Sequence, residues 1–355
     1  MRGIDTLVRL DADAGLLRLR LETLNRQLAT GRRAEAPGDL APQLPRIAEL
    51  RAEATRRDTY GSAIGEALGR AQATQGTLGR LSDIAREFAE GVAMKLDLKN
   101  PEAIPLAAAR ARAALVEVGH LLNTQQGGEY LFGGSDLANP PVPAPDDLPT
   151  SGFASQIAAA VATLGGGNAA AVGAATRAAA ASDAAGTTPF SAFLSSGPGS
   201  AEPRRGVPAG DGTVVPYGIP ANRNGAAVSS GETTGSWARD LLRGLASIAA
   251  LTPAQAAASP ADFTAFAATV RDGLRSASGG LADEAGALGF TEARLEDAQT
   301  RHTEASTALQ AQLAEIEEVD LAEVLTRLQA TETTLQASYG AIGRLGSLTL
   351  AQFLR

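Results

Sequence analysis

Hydrophobic residues recur at alternating spacings of three and four near both ends of the chain. This spacing places them on one face of a helix and is typical of a coiled-coil seam. Two such helices at opposite ends of a chain can bury their stripes only against each other or against neighbouring copies, which predicts a subunit built for assembly. The N-terminal stripe is Leu7, Leu10, Ala14, Leu17, Leu21, Leu24 and Leu28. The C-terminal stripe is Leu321, Leu325, Leu328, Glu332, Leu335, Tyr339 and Ile342, widened by Val324, Leu345 and Leu348.

The pattern between the two stripes predicts further long helices. The first helix is expected from about residue 4 to Thr30, with Gly31 ending it. A second helical pattern runs from Ile47 to about residue 98. Asn100 before Pro101 is a favourable start for a third helix, which is expected to end at 127–128. Helical pattern returns at Ser236 and continues to the C-terminal stripe.

The character of the chain changes between about residues 137 and 230, where charged residues become sparse and Gly, Pro, Ser, Thr and Ala dominate. Short strands are predicted at 129–132 and at 213–217, the second after the tight-turn pair Asp211 and Gly212. Alanine-rich helices are predicted at 154–164 and 169–181. These elements indicate a small mixed domain, and a flexible insert is the alternative interpretation.

The predicted fold is therefore mainly α. Long paired N- and C-terminal helices form a coiled-coil rod, and a smaller mixed α/β outer domain is inserted in the middle. The expected segments are the N-terminal helix at 1–34, the first half of the rod at 35–136 and the outer domain at 137–235. The second half of the rod follows at 236–317, and the C-terminal helix at 318–355.

Composition removes several functional classes from consideration. The net charge of -8 argues against a general nucleic-acid binder, which needs cations for the phosphates. The chain has no cysteine and only two histidines, His120 and His302, so neither a thiolate site nor a histidine metal cluster is expected. Glycines 165–167 lack the lysine of a phosphate-binding loop. We therefore expect no catalytic, cofactor or metal site, and the acidic group at 315–320 is interpreted as a solvated helix face.

No apolar run has the length of a membrane span, and the N-terminus lacks the pattern of a cleavable secretory signal. Glycines within predicted helices have two interpretations. Gly61, Gly65 and Gly69 recur every four residues, while glycines 340, 343 and 346 recur every three. Either neighbouring helices approach closely there, or these segments are poor helices that become ordered only on assembly.

Three segments of the chain resemble the flagellin superfamily. Residues 24–33 (LNRQLATGRR) are similar to the family's leucine-rich helix with its Ser/Thr-Gly-Lys/Arg ending. Residues 127–135 (GGEYLFGGS) are similar to the segment that leads from the helical rod into the outer domain. The tail, at 335–342 (LQASYGAI) and 348–354 (LTLAQFL), looks like the end of the hook-filament junction members of the superfamily, the hook-associated protein 3 group.

Two departures bear on the choice within the superfamily. Residues 34–39 (AEAPGD) lack the Asn-containing turn and paired aspartates that usually follow the first helix of filament flagellins. The tail also lacks their Ala-Asn-Gln and Pro-Gln patterns. The resemblance therefore implies a hook-filament junction protein first and a filament flagellin second. A helical secretion-needle or adaptor component is a further alternative.

The resemblance also implies the partners and location of such a subunit. It would leave the cell through the flagellar type III channel without a cleaved signal and would be assisted by an export chaperone. It would then self-assemble into a ring or filament beside other hook-associated proteins and flagellin, in the extracellular flagellum. The stripes from Leu7 to Leu28 and from Leu321 to Leu348 would form its inner tube.

Overall fold

A computed structural model describes residues 2–34, 41–96 and 101–353, and the side chains at 8–34, 41–94, 96 and 101–344. The long helices are α1 (Arg2–Thr30), α2 (Leu44–Arg86), α3 (Ala103–Leu122), α9 (Pro260–Glu317) and α10 (Leu321–Phe353). The shorter helices are α4 (Gly152–Ala162), α5 (Ala169–Ala181), α6 (Ala192–Ser195), α7 (Trp237–Ala250) and α8 (Pro253–Ala258). Four short strands complete the structure: β1 (Gln125–Gln126), β2 (Glu129–Tyr130), β3 (Gly206–Gly210) and β4 (Thr213–Pro216).

These elements confirm the predicted mainly α class, with long helices at both ends and a small sheet-containing middle region. The chain divides into two compact units, one of residues 1–59 with 302–355 and one of residues 60–301. The five segments proposed from the sequence stay a prediction. Among the described residues, none of the helices combines the length and hydropathy that a membrane crossing requires.

Helix α7 is the centre of the unit formed by residues 60–301. It begins after Ser236, whose side chain accepts a hydrogen bond from the Arg239 backbone N–H, a favourable helix cap. All residues from Trp237 to Ile248 are buried, because α7 packs against α3, α4 and α5. The ring of Trp237 meets Phe132 edge-on, with 6.4 Å between the centroids. The core of this unit therefore forms around a helix that is covered on every side.

Charged side chains on α7 connect it to the middle of the chain. Arg239 donates to the carbonyl oxygens of Asn222 and Ala180, each at 3.0 Å. Arg243 donates from Nη2 to Glu232 Oε1 at 2.8 Å. Burial raises the pKa of Asp240, which accepts hydrogen bonds from the two preceding threonines at 233 and 234. Buried charges are tolerated only when they are paired in this way. The middle segment is thus a folded part of this unit, as the mixed-domain interpretation requires.

Two hairpins account for the strands. Gly127 and Gly128 have positive φ angles of 61° and 82°, which a tight two-residue hairpin turn of type I′ requires at both positions. They form the turn between β1 and β2, so the prediction that α3 reaches them was wrong: α3 ends at Leu122. The second hairpin pairs Val207 with Val215 and turns at residues 211–212, as predicted. The strands at 129–130 and 213–216 are shorter than expected.

Helix α2 also ends earlier than the sequence pattern suggested. Its α-helical geometry stops at Arg86, and the chain continues as a π-helical turn, Glu87–Val92, and a short 3-10 turn, Ala93–Lys95. The expected helix cap, Asn100, lies outside the described residues. Helix α3 follows Glu102, whose side chain makes no capping hydrogen bond. Hydrophobic periodicity continues through a π-helical turn, which is why it did not reveal the end of the α-helix.

Close approach explains two of the regularly spaced glycines. A Cβ atom at Gly65 would lie 3.3 Å from Gln299 Nε2, and one at Gly69 would lie 3.0 Å from Gln126 Nε2. A Cβ atom at Gly61, Gly340 or Gly343 would meet open space, while the side-chain surroundings of position 346 lie outside the described residues. Close packing therefore accounts for glycines 65 and 69, and ordering on assembly stays a prediction for the others.

Glu284 of α9 fixes the loop that precedes α7. Its side chain is fully buried, and Oε1 accepts backbone N–H groups from Gly225, Ala226 and Ala227 at 2.5, 3.0 and 3.1 Å. Three converging N–H groups form a concave anion site that the protein fills with its own carboxylate. Without this carboxylate, three partly buried N–H donors would lose their charged acceptor.

Glu284→Ala should therefore lower the free energy of unfolding by about 3 kcal/mol, since it removes three hydrogen bonds to a charged acceptor and each contributes about 1 kcal/mol or more. The measurement is urea denaturation followed by the fluorescence of Trp237, the single tryptophan of the chain. The matched control is Asp283→Ala, which changes the neighbouring exposed carboxylate and should alter stability by no more than about 0.5 kcal/mol. Equal stabilities of the two variants would contradict the role assigned to Glu284.

Candidate assembly interface

Helices α1 and α10 pack against each other in an antiparallel pair. Leu24, Val324 and Leu328 are buried together in one hydrophobic cluster, against which Leu28 and Val319 also pack. Towards the other end of the pair, the Arg18 guanidinium lies 5.1 Å from the centre of the Tyr339 ring, and its Nε donates to the Tyr339 hydroxyl. The N-terminal part of α1 thus lies beside the C-terminal part of α10.

The N-terminal stripe forms the inner face of this pair. Ala14 and Leu24 are buried, and the other leucines of the stripe with described side chains are half-buried. Leu7 lies outside the described side chains. The leucine spacing therefore identified the buried face of α1. The half-buried positions are Leu10, Leu17, Leu21 and Leu28.

The C-terminal stripe lies only partly on the seam: Leu328, Leu335 and Ile342 are on it, and the exposed Glu332 is not. Val324, Leu328 and Thr331 are buried, and the same face continues through half-buried positions. Leu321, Leu325 and Tyr339 are instead 47%, 43% and 39% exposed and form a flank beside the seam. The difference arises because two polar residues, Thr331 and Ser338, occupy seam positions. A pattern of hydrophobic residues passes over them and includes the neighbouring flank leucines instead. The half-buried seam positions are Leu335, Ser338 and Ile342, and Leu345 and Leu348 lie outside the described side chains.

Helix α1 has a second apolar face that the sequence pattern did not reveal. Val8, Leu16 and Leu19 are 64%, 66% and 61% exposed. At about 100° per residue, these three side chains lie almost opposite the seam leucines. Their spacings of eight and three are too sparse to form a heptad stripe, and only the exposure of these side chains distinguishes them. We call Val8, Leu16 and Leu19 the α1 flank, and Leu321, Leu325 and Tyr339 the α10 flank.

A short backbone bridge joins the end of α1 to the start of α10. The Arg33 N–H donates to the Glu317 carbonyl at 2.8 Å, and the Val319 N–H donates to the Gly31 carbonyl at 3.0 Å. Gly31 has a φ of 66°, a left-handed conformation that glycine adopts without a Cβ penalty and that commonly ends helices. We call residues 31–33 and 317–319 the clasp. It fixes the register of the two helices at one end.

Acidic residues at 315–320 support the clasp. Asp320 Oδ1 accepts the Ala322 N–H at 2.8 Å, so this carboxylate caps the start of α10, where a negative charge is favourable. Glu317 forms an ion pair with Arg51 at 2.6 Å. Asp320 and Glu317 therefore have structural roles, and this acidic group is not simply a solvated helix face. No group of potential metal ligands occurs in the part of the chain that the structure describes.

The pairing predicts a specific intramolecular crosslink. The chain has no native cysteine, so Leu24→Cys with Leu328→Cys would place two unique thiols in the buried cluster. We expect a short bis-maleimide to join them within one chain, detected as a faster-migrating monomer on denaturing gels. The control pairs Leu19→Cys with Leu328→Cys, because Leu19 lies on the exposed flank of α1. Equal crosslinking of both pairs would contradict the described seam.

Comparison with known protein families identifies both ends of the chain. The family model for the bacterial flagellin N-terminal helical region matches residues 17–136, and that for the bacterial flagellin C-terminal helical region matches residues 272–354. A search of curated proteins gives no match. The two matched regions cover more than half of the chain and contain the second half of α1, all of α2, α3 and α10, and most of α9.

The flagellin family is a family of structural proteins and not of enzymes, which agrees with the absence of catalytic motifs from the sequence. Its members are exported and polymerise into the flagellum. The chain therefore belongs to the bacterial flagellin family and is a structural subunit of the extracellular flagellum.

Proposed function

We propose that this chain is the hook-filament junction subunit and that it joins its neighbours through the terminal helices. The observation that carries the assembly role is the apolar surface that the α1–α10 pair leaves uncovered. Val8, Leu16 and Leu19 lie on one flank, and Leu321, Leu325 and Tyr339 lie on the other. Because the seam is already filled within one chain, these flanks are the surfaces available to a second copy.

Covering these flanks would contribute to assembly. Fully burying a large apolar side chain contributes about 1.5–3 kcal/mol, and these six are on average about half exposed, so covering what remains would supply about 5–10 kcal/mol per copy before the cost of association is subtracted. Within the proposal, the seam residues act indirectly. Leu10, Leu17, Leu21, Leu28, Leu335 and Ile342 hold the two helices in the register that presents both flanks. Direct roles of Leu7, Leu345 and Leu348 in the assembly interface stay predictions.

The choice of the junction over the filament is supported by the sequence of the two ends. The tail resembles the junction members and lacks the Ala-Asn-Gln and Pro-Gln patterns of filament flagellins, and residues 34–39 lack the Asn-containing turn and paired aspartates that usually follow their first helix. Other hook-associated proteins and flagellin would then be the neighbours on the two sides of the ring, and an export chaperone would bind the subunit before secretion. Filament flagellin is the second candidate, because the two family models describe that role equally well.

Substitutions on the α1 flank can test assembly without changing the fold of the monomer. The combined change Leu16→Asp and Leu19→Asp places two charges on side chains that make little contact within the chain, so the helical content of the monomer should not change. In an assembled interface the same charges would be desolvated without partners, which costs several kcal/mol. We expect cells with this variant to lose motility, as measured by swimming on soft agar and by electron microscopy of their flagella.

The matched control for this test is Asp11→Asn with Asp13→Asn, which alters two exposed polar positions of the same helix. These control cells should swim normally. Normal flagella on cells that carry the two flank aspartates would rule out the α1 flank as an assembly surface.

Deletion of the gene distinguishes the junction from the filament. Without a junction subunit, exported flagellin finds no acceptor, so we expect intact hooks and unpolymerised flagellin in the medium. Electron microscopy of the cells and immunoblotting of the culture supernatant measure the two quantities. Bare hooks without flagellin in the medium would instead identify the chain as the filament protein.

A further inference from the structure

A cleft in the unit of residues 60–301 has the features of a ligand site. Its volume is about 490 Å³, which lies within the range of about 300–1,000 Å³ that is usual for small-molecule pockets. One wall is α2, with Ala63 and Ala67 among the lining residues. The opposite walls come from the β1–β2 turn and from the start of β3. The charged side chains lining the cleft are Glu66, Arg70, Glu129 and Arg205.

The walls of the cleft are held in place without a ligand. The tip of the β3–β4 hairpin is tied to α2 because the Tyr60 hydroxyl donates to Asp211 Oδ1 at 2.8 Å. The base of the hairpin is closed by the Tyr217 N–H, which donates to the Arg205 carbonyl at 2.8 Å. A preformed cleft binds a ligand without paying for loop ordering.

The charges in the cleft balance one another. Glu129 Oε2 accepts hydrogen bonds from Arg70 Nη1 at 2.7 Å and from Arg205 Nη1 at 3.2 Å. One carboxylate thus pairs with two guanidinium groups, and Glu66 supplies a second negative charge at the rim. Because two cations face two anions, the cleft offers no net attraction to a phosphate or another strong anion.

Hydrogen-bonding groups of both kinds nevertheless remain open. Among the described residues, neither the Glu66 carboxylate nor the Oε1 atom of Glu129 has a donor within hydrogen-bonding distance. The Arg205 side chain donates only through Nη1, to Glu129. The Tyr217 hydroxyl likewise has no partner in the described part of the chain, and its ring lines the cleft. Open acceptors and open donors therefore line the cleft together, beside the small alanine side chains of α2.

We propose that this cleft binds a neutral saccharide. Neighbouring hydroxyl groups of a sugar donate to carboxylates and accept from guanidinium groups at the same time, which matches the mixture of open groups here. The apolar face of a sugar ring would pack over α2, where the small side chains of Ala63 and Ala67 leave room for it, beside the edge of the buried Tyr217. The site would give this flagellar subunit a lectin-like activity separate from assembly.

The test uses the full-length monomer and four probes: galactose, mannose, N-acetylglucosamine and lactose. Saturation-transfer NMR should detect at least one of them, and titration should give its Kd. Glu66→Ala and Arg205→Ala should each raise that Kd about tenfold, because each removes a hydrogen bond to a charged group. Glu90→Ala, which removes an exposed carboxylate of the same N-terminal half outside the cleft, should leave it unchanged.

Three results would overturn the proposal. The first is the absence of a signal for all four sugars, and the second is a Kd that both cleft variants leave unchanged. The third is binding of glucuronate, an anionic sugar used as a comparison, without binding of any neutral probe. Unfolding of each variant, followed by Trp237 fluorescence, shows whether a lost signal reflects the cleft or a lost fold. If Arg205→Ala unfolds, Glu66→Ala decides the question, since its side chain is exposed and unpaired in the described structure.

Discussion

The antiparallel pairing of α1 and α10 is the interaction on which the terminal unit depends. It brings together segments at opposite ends of the sequence, so the rest of the chain forms one long closed loop. Closing a loop of this length costs about 5 kcal/mol of chain entropy, which is comparable to what the burial of Leu24, Val324 and Leu328 contributes. The clasp and the Arg51–Glu317 ion pair add stabilising contacts at one end of the helix pair. In the proposed assembly, contacts with neighbouring copies would stabilise this pair further.

The two apolar faces of α1 would allow one helix to take part both in folding and in the proposed assembly. Its leucine stripe is covered by α10, while the α1 flank on the far side remains open. An ordinary surface helix has one apolar stripe and one polar face. The α10 flank adds a second open surface beside the same seam. These two flanks are the surfaces that we propose for assembly.

The sequence predicted the parts of this fold that rest on regular leucine spacing. It identified the buried face of α1 and the end of that helix at Gly31, because each of those features has a local signal. For α10 it found Leu328, Leu335 and Ile342 but missed two polar positions, since Thr331 and Ser338 take seam positions that only the partner helix defines. The end of α3 was missed because hairpin glycines also resemble a helix stop. The buried charges of α7 have no local signature, since their partners lie far away in the sequence. The saccharide cleft likewise combines residues from α2, two hairpins and their connections.

If the open flanks of the terminal helices contact neighbouring subunits, in vivo photo-crosslinking from α1 should capture that contact. A benzophenone amino acid replacing Leu19 would sit on the α1 flank, and ultraviolet light would be applied to cells with assembled flagella. We predict a covalent product between this chain and a second flagellar subunit, which mass spectrometry of the excised band would identify. Crosslinking only to residues of the same chain, in cells whose flagella are intact, would contradict the account.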